Sequence, residues 1–308
     1  MTTSFNEPII EEFRANAGQV GGPFDGSDLL LLTTTGAKSG KENTAPLGYV
    51  TDGDRLLVVA SAGGADHHPA WYHNLLAHPM VRVELGTETF EAIAVPAEGS
   101  RRDQLFEQVV RVAPGYADYQ AGTERTIPVV ELERFGQVED PAEVTTLAAK
   151  LVEIHTWLRS LLGQVRAEAD AYFGERANHE GPGEAPAPGL GLQLRQHCLA
   201  FCEALEFHHT GEDAHMFPGL AQAHPHLGDA IARLREEHTT VERIQRELLA
   251  LLGGISTADP APFRAELERM TAELEAHLDY EEESLLPVLA EIPFPPPAPD
   301  PAGADTPA

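Results

Sequence analysis

The pattern of apolar and polar positions changes period near residue 140. Before that point, apolar residues come in short runs bounded by Gly, Pro, Asn and Asp, which is how strands and turns read. Residues 6–17 start the chain as a short amphipathic helix with Ile9, Ile10 and Phe13 inward. Strands follow at 29–35, 47–51 and 55–61, the last two joined as a hairpin through Asp52-Gly53-Asp54. Pro69 opens a short helix through Ala77, strands recur at 81–85 and 89–95, a helix covers 101–112, and a strand at 127–132 closes the region. Six short strands with few helices predict a small β-barrel, since a doubly wound sheet would need a helix after each strand.

Beyond residue 140 apolar positions recur every three or four residues, the period of a helix with one buried face. Asp140-Pro141-Ala142-Glu143 is a helix start, with a capping Asp, Pro at the first position and Glu at the third. Four stripes follow, marked by Leu151, Leu158 and Leu161, by Leu194, Phe201 and Leu205, by Ile231, Leu234 and Val241, and by Phe263, Leu267 and Leu274. Connected by short loops and by a Gly/Pro/Glu-rich segment at 174–191, they predict an up-down-up-down four-helix bundle. The expected organisation is α+β with two domains: a barrel over 1–138, a bundle over 140–292, and a disordered Pro/Ala-rich tail over 293–308.

Charge and histidine sharpen this division. Lys+Arg 21 against Asp+Glu 49 gives a net charge of −28, which argues against nucleic-acid or anionic-membrane binding. No apolar run is long enough for a membrane span and no signal segment follows Met1, so a cytoplasmic location is expected. Ten of the 14 histidines lie beyond residue 140. The two cysteines, Cys198 and Cys202, stand four apart on one helix and read as core residues.

Two segments of the bundle echo each other: HHTGEDAHMFP from His208 and HLDYEEESLLP from His277. A His and a Glu four apart lie one turn apart on one face, so both can reach one metal. His208 and Glu212, then His277 and Glu281, are those pairs, and His155 and His238 sit at matching mid-helix heights. Burying two carboxylates costs several kcal/mol each unless a cation compensates, which favours a metal over a set of core histidines. Six N/O donors without a thiolate suit two iron or manganese ions better than one tetrahedral zinc. The Leu205 stripe favours His208 over its neighbour, leaving His209 and Asp213 as an orienting or solvent-facing fallback pair; Glu282 and Glu242 are weaker candidates.

With these residues in view, the second half resembles a hemerythrin-like HHE cation-binding domain. That resemblance implies a non-haem di-iron centre held by His155, His208, Glu212, His238, His277 and Glu281, with oxygen, nitric oxide or peroxide as ligand. The first half carries TTTGAKSGKENTAPLGYV, SAGG, PAWYHNLLAHP, PGYADYQ and RTIPVVEL, and it resembles the deazaflavin-dependent nitroreductase family. This implies a split β-barrel of the flavin-binding type, an F-420 type deazaflavin, and hydride transfer to a small nitroaromatic, quinone or enone. By the same resemblance Lys38, Ser39 and Gly40 hold the cofactor tail, while Pro46, Ser61, Gly63, Gly64, Trp71 and Asn74 border the cofactor. Tyr116 and Tyr119 face the substrate, one of them as proton donor, and the fold is compatible with a homodimer through the barrel. Read by itself, Gly36–Gly40 is an ordinary glycine turn or an anion cradle. Ala37, Asn43 and Ala62 stand where such proteins carry cations. The expected activity is therefore a deazaflavin-dependent oxidoreductase fused to a di-iron bundle, the alternative being a non-enzymatic iron or gas sensor or store.

Overall fold

The structure, a computed structural model, describes residues 6–22, 26–134, 144–177 and 191–295. Helix α1 (Glu7–Ala15) precedes strands β1 (Leu29–Thr35), β2 (Glu42–Asp52) and β3 (Arg55–Val59). Helix α2 (Ala70–Ala77) leads to β4 (Met80–Leu85) and β5 (Glu88–Pro96), and α3 (Gly99–Val112) and α4 (Gly115–Ala121) lead to β6 (Val129–Arg134). The strands close into an antiparallel barrel in the order β1-β2-β3-β6-β5-β4. The bundle comprises α5 (Leu147–Ala177), α6 (Gly191–Gly211), a π-helical turn (Glu212–Met216) continuing into α7 (Phe217–Ala223), α8 (Gly228–Gly253) and α9 (Pro260–Leu289).

Strand periodicity explains where the barrel's apolar runs come from. Side chains alternate between the two faces of a strand, so a continuous apolar run means that both faces are covered. In β1, Leu30 and Leu32 enter the barrel interior, while Leu29 and Leu31 pack outside against Ile9 and Phe13 of α1. In β3, Leu56 and Val58 point inward, and Leu57 and Val59 lie outside with Leu105, Phe106 and Val109 of α3. In β5, Ala92 and Ala94 are interior, but Ile93 and Val95 join the hydrophobic core of the bundle. The helical half thus covers a face that the barrel would otherwise expose.

This contact is built by the N-terminal half of α6. Gln196, fully buried, donates to the carbonyls of Leu75 at 2.8 Å and Ala94 at 3.2 Å, capping both α2 and β5. Arg195 reaches the Leu76 carbonyl, and His78 lies 2.7 Å from Glu203. Between them His197 is enclosed, with Nδ1 2.8 Å from Glu168 of α5 and Nε2 2.9 Å from Glu133 of β6. A carboxylate only accepts, so an imidazole that meets one at each nitrogen is an imidazolium. Its pKa is pushed up to about 9: burial lowers it, and the hydrogen bonds to Glu133 and Glu168 outweigh that.

The described elements adjust several expectations. β2 begins at Glu42 rather than near residue 47, because it pairs with β1 along the full length of that strand. The helical ladder of α5 runs through Gly174 to Ala177, and Gly191 already belongs to α6, so the expected 174–191 loop is shorter at both ends. Pro293 and Phe294, expected in the disordered tail, are held against Thr146 and Thr145. The cap at Asp140 and the break between 138 and 140 lie outside the described residues, as does the rest of the tail. Cys198 and Cys202 are buried free thiols.

Candidate metal centre and cofactor cleft

In the middle of the bundle α5, α6, α8 and α9 bring histidines and carboxylates together. One group is His155, His208, Glu212 and Glu281; a second is His209, His238 and His277, each group's donor atoms lying within 4.8 Å of one another. The two groups touch through the adjacent residues His208 and His209 and through Glu212, whose oxygens lie 3.1 Å from His208 Nε2 and 3.5 Å from His238 Nε2. All seven side chains are at least nine-tenths buried.

His209 corrects an expectation. It does not face solvent with Asp213; it is buried, stacks on His238 with ring centroids 4.0 Å apart, and sets Nε2 3.2 Å from His277 Nε2. The bundle axis falls between positions three and four after Leu205, so both neighbours enter. The π-helical turn that follows has a local cause: Pro218 has no N–H for the carbonyl four residues back, which frees the ladder there to widen. Glu242 lies on the exposed face of α8 and takes no part.

Three acids beside the ligands orient the imidazoles of neighbouring helices. Glu282 Oε1 lies 2.8 Å from His155 Nδ1, Asp213 Oδ2 3.0 Å from His238 Nδ1, and Glu237 Oε2 3.0 Å from His277 Nδ1. Each acid is backed by an arginine: Arg159, Arg235 and Arg233 respectively. The carboxylate fixes the proton on Nδ1, so Nε2 of each ring presents its lone pair to the centre. Sequence reasoning allowed an orienting role for Asp213 but passed over Glu237. The available signal was that each acid adjoins a ligand in the chain.

The centre's electrostatics is unresolved without a cation. His155 Nε2 and His208 Nε2 approach to 3.0 Å, two nitrogens of which the first has no proton to share. Both oxygens of Glu212, both oxygens of Glu281 and Nε2 of His238 are buried without a hydrogen-bond partner. Burial and then the charge of Glu281 push Glu212 up to about 12, while Glu281, despite its burial, is drawn down by contacts with His155 and Glu212. Burial brings His208 down to about 4 and His209 and His277 below their ordinary value, which keeps these imidazoles neutral. The imidazoles are thus already in the neutral form that metal binding demands, and a cation would have to displace the proton that Glu212 keeps beside Glu281. Imidazoles beside buried carboxylates that lack hydrogen-bond partners are a donor set that fits a bound cation.

In the barrel, the residues expected at a cofactor lie around α2 and the turns beside it. Lys38 and Lys41 are exposed and make no ion pair among the described residues. The Ser39 hydroxyl is turned under its own loop, where it accepts from the Lys41 N–H, and Gly40 has the left-handed φ of 64°. Asn74 ties that loop down: Oδ1 accepts from the Ala37 N–H at 3.1 Å and Nδ2 donates to Thr34 Oγ1. Trp71 packs in the barrel core and Pro46 pairs with Leu31 in the sheet. Ser61, Gly63 and Gly64 form a tight turn against Tyr119. Tyr116 and Tyr119 meet edge-on at 5.9 Å, and burial followed by its neighbour raises Tyr116, so its phenol keeps its proton. The open glycine turns and free lysines form a cradle compatible with an anionic tail.

The fold and these two sites define the class: a closed six-stranded barrel followed by a histidine–carboxylate bundle. Residues 9–134 match the family model for F420H(2)-dependent quinone reductase, and residues 146–289 match that of the hemerythrin HHE cation binding domain. A F420H(2)-dependent quinone reductase of Mycobacterium tuberculosis is 41% identical over 126 residues, covering 40% of this chain and 85% of the relative. A solved structure of an F420-H2 dependent reductase shares 41% identity over 34% of this chain and 94% of its own, with a TM-score of 0.33. Another, described as a domain-swapped dimer, shares 38% identity over 41% of this chain and 92% of its own, with a TM-score of 0.34. The chain belongs to the F420H(2)-dependent quinone reductase family through its barrel, and carries a hemerythrin HHE domain behind it. No helix among the described residues is long and apolar enough to cross a membrane.

Proposed function

We propose that the protein is a deazaflavin-dependent oxidoreductase with a di-iron bundle attached, a barrel domain over 1–138 preceding a bundle domain over 140–292. When bound, the reduced deazaflavin supplies the hydride, with quinones as the first acceptor class to test and nitroaromatics and enones after them. Lys38 and Lys41 attract the anionic tail, with Ser39 and Gly40 shaping the loop that Asn74 anchors. Ser61, Gly63 and Gly64 border the ring, and Pro46 and Trp71 are the wall behind it. Tyr116, holding its proton, donates it to the reduced acceptor, and Tyr119 packs edge-on to keep that phenol in place.

In the bundle, iron supplies redox and Lewis-acid chemistry toward oxygen, nitric oxide or peroxide. His209, His238 and His277 on one side, and His155, His208, Glu212 and Glu281 on the other, are the residues that would hold it. The single observation behind this reading is the convergence of imidazole lone pairs on two buried carboxylates that have no hydrogen-bond donor. Two measurements test it. Metal analysis of the purified protein is expected to give about two irons per chain. Titration with purified deazaflavin is expected to saturate at micromolar concentration; absence of binding would leave the bundle as a non-enzymatic sensor or store.

A further inference from the structure

The turn between β3 and α2 keeps a backbone that its sequence does not favour. Ala62, Gly63 and Gly64 all have left-handed φ, at 48°, 63° and 82°. For the glycines this is unstrained, but at Ala62 the Cβ comes too close to the following carbonyl oxygen. Such a conformation persists only where the surroundings over-determine it. Here the surroundings are chiefly one side chain. Arg125, in the segment between α4 and β6, donates from Nη2 to the Ser61 carbonyl at 2.6 Å and the Ala60 carbonyl at 3.1 Å. From Nε it donates to the Ala65 carbonyl at 2.7 Å, and Nη1 lies 3.1 Å from His68 Nδ1. Carbonyls on both sides of the left-handed residues therefore converge on one planar guanidinium, a fork that no other side chain offers.

Two more contacts join this turn to α4. Thr123, just past the helix, donates to Asp66 at 2.8 Å and accepts from the Arg125 N–H. Gly64 lies so close to Tyr119 that a Cβ there would come within 3.3 Å of the Tyr119 carbonyl oxygen. Ser61, Gly63 and Gly64 on one side and Tyr119 of α4 on the other are thus packed together, with Arg125 and Thr123 tying the turn to the segment after α4.

We propose that Arg125 is a positioning residue: it holds the 60–65 turn in its left-handed form against α4 and so sets the spacing of the cofactor cleft. The role in binding rests on the deazaflavin reading above; the role in holding the turn does not. The full-length protein is compared with Arg125→Ala, with Ala62→Gly, and with the double variant. Two readouts are taken: the deazaflavin dissociation constant by fluorescence titration, and hydrogen exchange of the Gly63, Gly64 and Ala65 amides in cofactor-free protein. Loss of the charged hydrogen bonds is expected to weaken deazaflavin binding by about tenfold or more and to speed exchange in the turn by a similar factor. Adding Ala62→Gly is expected to recover several-fold in affinity, because glycine adopts the left-handed form without strain, a rescue that general destabilisation would not give. Binding within twofold of the wild type in Arg125→Ala would overturn the proposal. A wild type that does not bind deazaflavin would instead sink the cofactor reading. Exchange then decides alone, with faster exchange in Arg125→Ala supporting the clamp and unchanged exchange overturning it. Should Arg125→Ala not fold, Arg125→Lys gives the same two readouts, with one ammonium left to serve three carbonyls.

Discussion

Helix α6 carries two buried polar clusters, and they are built in opposite ways. Near its N-terminus His197 has a carboxylate at each ring nitrogen, Glu168 from the bundle and Glu133 from the barrel, so its charge is matched within the protein. Further along, His208, His209 and Glu212 belong to a cluster whose imidazole lone pairs converge and whose carboxylates find no donors. Burial and residue type are the same in both. What separates them is where the protons and lone pairs go: a closed account makes a structural ion cluster, an open one makes a place for a cation. One orphan, Glu168 Oε2, remains in the first cluster.

The largest effect that tests the contrast is on metal content. Replacing His208 and His277 together by Ala is expected to take iron from about two per chain to none, measured by atomic absorption. Undiminished iron would break the ligand assignment. The metal-free protein sharpens it: Glu212→Gln is expected to leave apo stability little changed, since burial and the charge of Glu281 already keep the Glu212 carboxyl protonated there and the amide is its neutral isostere. The same change is expected to abolish iron loading.

His197→Leu is expected to act the other way. It leaves Glu168 buried and Glu133 partly buried without their cation, and breaking such a buried pair costs about 3–5 kcal/mol. Urea denaturation of the holo and apo proteins should show the same loss in both, because the cluster is complete without metal. A loss confined to the holo protein would mean that the two clusters are not separate.

The pH dependence follows from the same imidazolium. His197 has a folded pKa of about 9, above the ordinary 6.5, so its stabilisation is fully present below 6.5 and is lost as pH rises through 9. The raised value corresponds to at most about 3 kcal/mol. The facing groups are Glu133 and Glu168, with Gln164 also against the ring and Gln193 on Glu168. Urea midpoints taken at pH 6.5 and 9.5 should fall in the wild type and fall less in His197→Gln; parallel curves would remove His197 as the cause.

The two clusters also differ in how far sequence reveals them. The metal centre is written in helical spacing, because His208 and Glu212, or His277 and Glu281, are neighbours along one helix face and repeat. Spacing alone could not choose between His208 and His209, since Leu205 is three before one and four before the other, and only packing against α8 and α9 admits both. The barrel's strands were legible, but the double-sided burial of Ile93 and Val95 in β5 was not, because what covers their outer face lies in the other domain. His197 left no pattern at all: its partners stand 64 and 29 residues away on a strand and another helix. Periodicity reports on a single element, and interfaces between elements leave no period.

The smallest effect concerns the acids around the metal centre, which borrow from both designs. Glu282 accepts from His155 Nδ1 and from Arg159, a closed account on the outer side that leaves Nε2 open on the inner side. Glu282→Gln keeps the size but weakens the acceptor, and its amide can present a donor to Nδ1, favouring the tautomer with the proton on Nε2. Loss of such an orienting partner typically costs 10–100-fold in metal affinity. Competitive titration against a chelator should show that weakening for one iron per chain, the one on the His155–His208 side, with the His209–His238–His277 side retained. Glu237→Gln should reverse the pattern through His277. Equal weakening of both irons by either change would mean that the two halves bind as one unit, and that the shared carboxylates, not the individual imidazoles, set the affinity.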